Sequence, residues 1–189
     1  MVKIHPFPSL IVDPALAAKV SCVPYDIVSR TESRALAEGN PDTLLRVDRA
    51  DLEFPDSTAF NAPEVYRRAA ANFDRLVQQK RLLAEKSPSL YLVRMVEGNH
   101  RQRGFAALAD FGDYASGQFR KHEFTRPDKE DDRVNLIRHL GALTGPVLAA
   151  CPDLPELTAE MDRIEKSGPA IAEVTDERGV RHVHRYLLS

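Results

Sequence analysis

Ser89-Leu90-Tyr91-Leu92-Val93-Arg94-Met95-Val96-Glu97-Gly98-Asn99-His100-Arg101-Gln102-Arg103-Gly104-Phe105-Ala106-Ala107-Leu108-Ala109-Asp110 is the stretch on which the fold turns. Leu90, Leu92 and Arg94 alternate with Tyr91, Val93 and Met95, the two-residue period of a pleated strand. Glu97-Gly98-Asn99-His100 supplies a turn, and Gly104 to Asp110 is the returning strand, so a hairpin is predicted over Ser89 to Asp110. The tail repeats this logic. Ala170 to Val174, a turn at Glu177-Arg178-Gly179, and Val180 to Leu188 predict a second hairpin.

Helical periodicity fills the space around the hairpins. Thr31 to Glu38 forms a short helix closed by Gly39-Asn40-Pro41. From Pro63 to Leu83, Val65, Ala69, Phe73, Leu76 and Val77 recur at three- and four-residue spacing, which places them on one buried face. Pro63 stands where a first-turn proline is tolerated, because the amide it lacks has no helical partner. A short helix is expected from Asp113 to Gly117, and a longer one from Pro127 to about Leu143, with Val134, Ile137 and Leu140 inward. Leu157 to Glu165 is a further helix, following the breaks at Pro152 and Pro155. Leu44 to Val47 and Pro146 to Ala150 read as short strands. Helices interleaved irregularly with antiparallel hairpins define an α+β (mixed α/β) fold and exclude a doubly wound parallel sheet. At 189 residues one domain, spanning 1–189, is expected.

Composition removes several function classes. A hydrophobic share of 43% and a charged share of 29% are those of a folded globular chain. A net charge of −2 encodes no bulk attraction to nucleic acid or membrane. Locally, nine Lys or Arg lie between Arg67 and Arg103 against Asp74, Glu85 and Glu97, and a solvated face accounts for most such excesses. The two cysteines, Cys22 and Cys151, are far apart and form no C-x-x-C, which argues against a secreted disulfide scaffold and a zinc ribbon. No apolar run approaches the ~20 residues of a membrane span, and the proline-broken start has no signal-like apolar core. A cytoplasmic setting follows as the expectation.

Chemistry concentrates in Lys121-His122-Glu123-Phe124-Thr125-Arg126-Pro127-Asp128-Lys129-Glu130-Asp131-Asp132-Arg133. Part of this is helix grammar. Thr125 with Asp128 resembles a capping box, Pro127 suits the first turn, and Asp128, Glu130 and Asp131 complement the positive end of the helix dipole. Lys121-His122-Glu123 is left over. A carboxylate beside an imidazole and a cation supplies a general base, a proton shuttle and a phosphate contact, and the acidic turn can hold Mg²⁺ through one or two carboxylates.

Other site types are missing from the sequence. The nine glycines never form G-x-G, and Gly112 to Gly117 has P-loop spacing but is followed by Gln118-Phe119. His122-Glu123 is not followed by the second histidine of a zinc protease motif, and no G-x-S-x-G elbow occurs. His182-Val183-His184 puts two imidazoles on one strand face with no third metal ligand nearby in sequence.

Pro24-Tyr25-Asp26-Ile27-Val28, Gly39-Asn40-Pro41, Ser89-Leu90-Tyr91, Lys121-His122-Glu123-Phe124-Thr125-Arg126-Pro127, Asp132-Arg133 and Thr144-Gly145-Pro146 resemble, in order, the bacterial and archaeal family called domain of unknown function ten-fifteen. That family is more remotely similar to the ParB–sulfiredoxin superfamily, which includes the ADP-dependent free serine kinase. The resemblance implies a fold ParB/sulfiredoxin-like at least in part and a nucleotide-phosphate site. It carries Glu123 over as the catalytic glutamate with His122 beside it, and Lys121, Thr125 and Arg126 as nucleotide contacts; no metal ligand is carried over. The family's D-G-H-H-R box has no match, since His182-Val183-His184-Arg185 lacks Asp-Gly. The resemblance further implies that the chain is the N-terminal part of one about twice as long. It points to a serine-kinase-like phosphotransferase using ADP or ATP with magnesium on a small hydroxyl substrate, the rest of its own chain being a partner. The alternative is a non-catalytic nucleotide-binding or DNA-associated ParB-like regulator.

Overall fold

A computed structural model describes residues 2–122, 124–176 and 179–187, the last three of these by their backbone. In chain order the elements begin with β1 (Ile4–His5), β2 (Leu10–Val12), α1 (Ala17–Val20), α2 (Arg30–Ala37), α3 (Leu45–Asp48) and α4 (Pro63–Gln78). A strand series follows: β3 (Leu82–Ala84), β4 (Leu90–Glu97), β5 (His100–Ala106) and β6 (Leu108–Ala109). Then come α5 (Phe111–Ala115), α6 (Pro127–Leu140), α7 (Pro155–Ser167), β7 (Ala172–Thr175) and β8 (Arg181–Leu187). The fold is α+β with antiparallel sheets, as the hairpin periodicity predicts. It divides into two compact units.

The first unit, residues 1–17, 83–123 and 147–189, holds the strands. Both predicted hairpins form, and they join into one sheet of order β5-β4-β8-β7. Gly98 takes a φ of 55° in the β4–β5 turn, a conformation that glycine enters without a Cβ penalty. Of the tail turn, Glu177 and Arg178 lie outside the described residues. β4 and β8 pair antiparallel from Leu90↔Leu187 to Val96↔Arg181, which buries Leu92 and Val183 in the sheet's centre. α7 is tied to the hairpin by ion pairs: Arg94 reaches Glu165 at 2.9 Å and Arg103 reaches Asp162 at 2.5 Å. Ile164 on the same helix is buried.

The second unit, residues 18–82 and 124–146, is helical. Ser29 and Glu32 form a reciprocal capping box at the start of α2, fixing that helix where the sequence places it. α4 buries Val65, Tyr66, Ala69, Asn72, Phe73 and Leu76, and begins with Pro63 in its first turn. It stops at Gln78 rather than Leu83, because Lys80 turns into the left-handed region at φ 57°. Val77 accordingly lies at the exposed edge of the helix. Leu136 of α6 packs on Val65, Tyr66 and Ala69 of α4 and on Ala50.

Four local expectations are corrected. Leu44 to Val47 is not a strand: Leu45–Asp48 is the helix α3, started beneath the Thr43 hydroxyl, which accepts from the Leu45 amide at 3.3 Å. Pro146 to Ala150 takes no regular structure, and Val147 and Leu148 stand 91% and 78% exposed, so an apolar run here has no strand beside it to bury against. α6 presents Asp132 and Leu136 inward, while Val134 and Ile137 are exposed at 36% and 37%. The helix is rotated because Asp132 finds buried partners, an outcome that hydrophobic spacing cannot register. Finally, Thr125 does not cap α6. Arg126 is the N-cap residue, without a side-chain cap, and its guanidinium holds Asp128 at 2.7 Å.

Among the described residues no helix is long and apolar enough to cross a membrane.

Candidate ligand cavity of the helical unit

Four segments of the helical unit converge on one cavity of about 320 Å³. Residues 25–30 precede and start α2, 47–51 join α3 to the following 3-10 turn, Phe60 to Ala69 lead into α4, and Lys129 to Leu136 come from α6. The volume lies at the lower end of the range for small-molecule sites. Tyr25, Phe60 and Tyr66 give it aromatic walls, and its polar lining comprises cations and carboxylates in close pairs.

Asp51 organises the first pair. Arg30 Nε donates to Oδ2 at 2.9 Å, and Arg49 donates from Nε to Oδ1 at 2.9 Å and from Nη2 to Oδ2 at 3.1 Å. The remaining guanidinium hydrogens are used on backbone carbonyls, Arg30 on Pro55 and Thr58, Arg49 on Tyr25 and Val28. Burial pushes the Asp51 carboxyl up, but the hydrogen bonds and charges of Arg49 and Arg30 outweigh it and hold it below the ordinary carboxylate range. This cluster is a fastening. It ties the Pro24 to Val28 turn to the floor of the cavity and leaves little guanidinium free for a ligand.

Asp132 and Arg133 form the second pair. Arg133 Nε and Nη2 donate to Asp132 Oδ2 at 3.1 and 2.6 Å, and the Tyr66 hydroxyl donates to Oδ1 at 2.9 Å. Burial and the Asp132 bond push the Tyr66 phenol up to about 12, so it stays a donor at any physiological pH. The Tyr66 ring stacks on His139 at 5.3 Å, which places that imidazole outside the core. The Arg133 guanidinium also lies 4.0 Å above the Tyr25 ring. Its Nη1 makes no hydrogen bond to any described residue. Lys129 sits 5.1 Å over the Phe60 ring and acts through its charge on the neighbouring Asp128.

Asp48 stands apart from both pairs. Its Oδ1 accepts from the Thr144 hydroxyl and lies 3.8 Å from Arg133 Nη1. Burial raises its pKa, and the Thr144 bond and the Arg133 charge only partly offset this. Cys22 is pushed up to about 12 by burial and by the Asp48 charge. Because the folded-state pKa of Asp48 exceeds the 3.8 of an ordinary aspartate, the native protein holds this proton more tightly than the unfolded chain. The native state therefore loses stability as pH rises from 3.8 through the raised value. Asp48→Asn is expected to raise Tm at pH 7, with the difference from the parent shrinking to nothing below pH 3.8; parallel melts across that range check it.

The Lys121 to Pro127 block, which the sequence marks out as the chemical centre, is placed differently. Glu123 lies outside the described residues. Lys121 and His122 belong to the strand-bearing unit and are exposed, the Lys121 ammonium 5.2 Å over the Tyr114 ring. Thr125 and Arg126 begin the second half of the helical unit, both exposed, Arg126 engaged by Asp128. Phe124 between them is 97% exposed. Among the described residues no three His, Cys, Asp or Glu side chains are grouped to hold a metal ion, and His182 is instead paired with Asp176 at 3.1 Å. The cation excess between Arg67 and Arg103 is largely absorbed within each unit: Arg68 on Glu53, Arg75 and Arg81 on Asp42, Arg94 and Arg103 on α7.

Sequence reasoning missed the cavity because its lining comes from four separate segments. One signal was present. Pro24-Tyr25-Asp26 had apolar neighbours closely bracketing it, as an ordered turn requires, and Tyr25 and Asp26 are cavity residues.

Fold and cavity together define an α+β protein with a small polar, aromatic-walled cavity in its helical unit. The sequence pattern of the family described as Protein of unknown function (DUF1015) matches residues 4–185, and the chain belongs to that family. No curated protein and no solved structure matches it.

Proposed function

We propose that the chain contributes the nucleotide-binding part of a cytoplasmic, serine-kinase-like phosphotransferase acting on a small hydroxyl substrate, and that the cavity of the helical unit is its nucleotide site. One observation carries this reading: Lys129 and Arg133, the latter with its Nη1 free of hydrogen bonds though 3.8 Å from Asp48 Oδ1, stand in a cavity walled by three aromatic rings. Phosphate recognition needs such donors, and base recognition needs flat apolar faces. For the transfer step the family resemblance implies Glu123 as the general base, taking the acceptor's proton as its oxygen bonds to the phosphoryl group and the shortened nucleotide leaves, with His122 relaying that proton. The family resemblance carries Lys121, Thr125 and Arg126 as phosphate contacts, and none of them lines the cavity. Phosphoryl transfer rests mainly on positioning and charge neutralisation, which polar clusters of this kind supply. Magnesium, which keeps several waters and needs few protein ligands, would supply neutralisation of phosphate charge when bound with the nucleotide.

Thermal melts with ADP or ATP plus Mg²⁺ test the binding half. A hundredfold excess over Kd stabilises by about 2.7 kcal/mol, a Tm rise of about 5–11 °C for a chain of this size. Lys129→Met is expected to remove most of the rise. Glu123→Gln is expected to keep it while abolishing transfer of labelled phosphate to a small hydroxyl acceptor. No rise with either nucleotide overturns the proposal.

A further inference from the structure

Arg133 is held from two sides. Adjacent residues on a helix do not face each other. On α6, however, the Arg133 guanidinium bends back onto its neighbour, Nε and Nη2 donating to Asp132 Oδ2 at 3.1 and 2.6 Å. The Tyr25 ring, its centre 4.0 Å from the guanidinium carbon, covers one face. Asp132 is fixed in turn: the hydroxyl of the buried Tyr66 donates to Oδ1 at 2.9 Å, so both carboxylate oxygens are taken. The series Tyr66, Asp132, Arg133 thus runs from the buried face of α4 to a partly exposed side chain that lines the cavity.

Only one edge of the guanidinium is committed. The side-on edge, Nε with Nη2, is used on Asp132. The end-on edge, Nη1 with the outer N–H of Nη2, makes no hydrogen bond to any described residue, and Asp48 Oδ1 stands 3.8 Å from Nη1, beyond hydrogen-bond reach. An end-on edge carries parallel N–H groups that match two oxygens of one phosphate, a geometry that an ammonium lacks. Such a fork binds well when it is preorganised, because a long side chain otherwise loses rotamer freedom as the ligand arrives. Tyr66 and Asp132 supply that restraint.

We infer that Arg133 grips a phosphate group of the nucleotide end-on, and that Tyr66, acting through Asp132, is the positioning residue for that grip. This rests on the nucleotide site proposed above and adds the residues that fix its phosphate contact. The two parts of Tyr66 have separable duties: the ring walls the cavity, and the hydroxyl orients Asp132 and so Arg133. Tyr66→Phe removes the second duty and keeps the first.

Calorimetric titration with ADP and with adenosine, which has the base and ribose but no phosphate, separates positioning from support of the fold. In Arg133→Lys the charge stays and the fork is lost. ADP is then expected to bind about tenfold or more weakly, the loss typical of a hydrogen bond between charged groups, with adenosine unaffected. Tyr66→Phe is expected to weaken ADP by about threefold or more and again to spare adenosine. Because Tyr66 acts through Arg133, the double variant is expected to bind ADP no more weakly than Arg133→Lys alone, a comparison that needs ADP only. Equal losses for ADP and adenosine in Tyr66→Phe, or losses that add in the double variant, overturn the positioning role and leave the nucleotide site standing. Unchanged ADP binding in Arg133→Lys overturns the grip itself. No binding of ADP to the parent protein overturns the grip and the nucleotide reading together.

Discussion

Asp51→Ala is expected to destabilise the protein by about 3–5 kcal/mol, the range for removing one partner of a buried ion pair. The carboxylate is 3% exposed and is the shared acceptor of Arg30 and Arg49, whose own side chains are mostly buried. Without it two guanidinium charges remain in a low-dielectric setting, held there by the carbonyls of Tyr25, Val28, Pro55 and Thr58. They cannot relax to solvent without pulling the Pro24 to Val28 turn off the cavity. For a chain of this length the loss corresponds to about 6–20 °C in Tm. Asp56→Ala is the matched control. Asp56 also pairs with an arginine, Arg34 at 2.8 Å, but its side chain is 78% exposed. Exposed pairs contribute about 0–1 kcal/mol, so this variant is expected to melt close to the parent. Equal losses in the two variants would show that the Asp51 cluster is not the fastening described here.

Leu136→Ala is expected to cost about 2–5 kcal/mol, the usual penalty for a buried leucine whose neighbours cannot close the space. Leu136 is 3% exposed and contacts Val65, Tyr66 and Ala69 of α4 and Ala50 of the 3-10 turn. It thus joins the two halves of the helical unit, which are distant in sequence. A Tm fall of about 4–20 °C follows. Ile137→Ala, one residue on, separates this face from its alternative. Ile137 is 37% exposed, and its truncation is expected to cost no more than about 1 kcal/mol. The reverse order of the two losses would mean that α6 packs through Val134 and Ile137, as its apolar spacing alone suggests.

That contrast on α6 shows where sequence reasoning ends. Asp132 and Leu136 face inward because the Tyr66 hydroxyl, the Arg133 guanidinium and the α4 side chains meet them there. A periodicity argument counts Asp132 as a solvent residue and so turns the helix the wrong way. The two misread strands have a related cause. Four-residue apolar runs carry no distinguishing period, and what decided Leu45–Asp48 was packing against Ala37 and Leu52, while the run after Pro146 found no partner strand.

The sequence by itself determined both hairpins, the helices α2, α4, α6 and α7 to within a few residues, and membership of the family. These are local properties: a two-residue or 3.6-residue period, a first-turn proline such as Pro63, a stop such as Gly39-Asn40-Pro41. Only the tertiary structure decided that β4 pairs with β8 to join the hairpins, and that Tyr25, Asp48, Asp51, Phe60, Lys129 and Arg133 line one cavity. The sequence concentrates its charge at Lys121 to Arg133, yet the cavity takes only Lys129, Asp132, Arg133 and Leu136 from α6 and nothing from Lys121 to Arg126. The physical reason is distance along the chain. Contacts between residues tens of positions apart are selected by burial and charge pairing across the folded unit, and no spacing rule in one dimension records which arginine a buried aspartate will find.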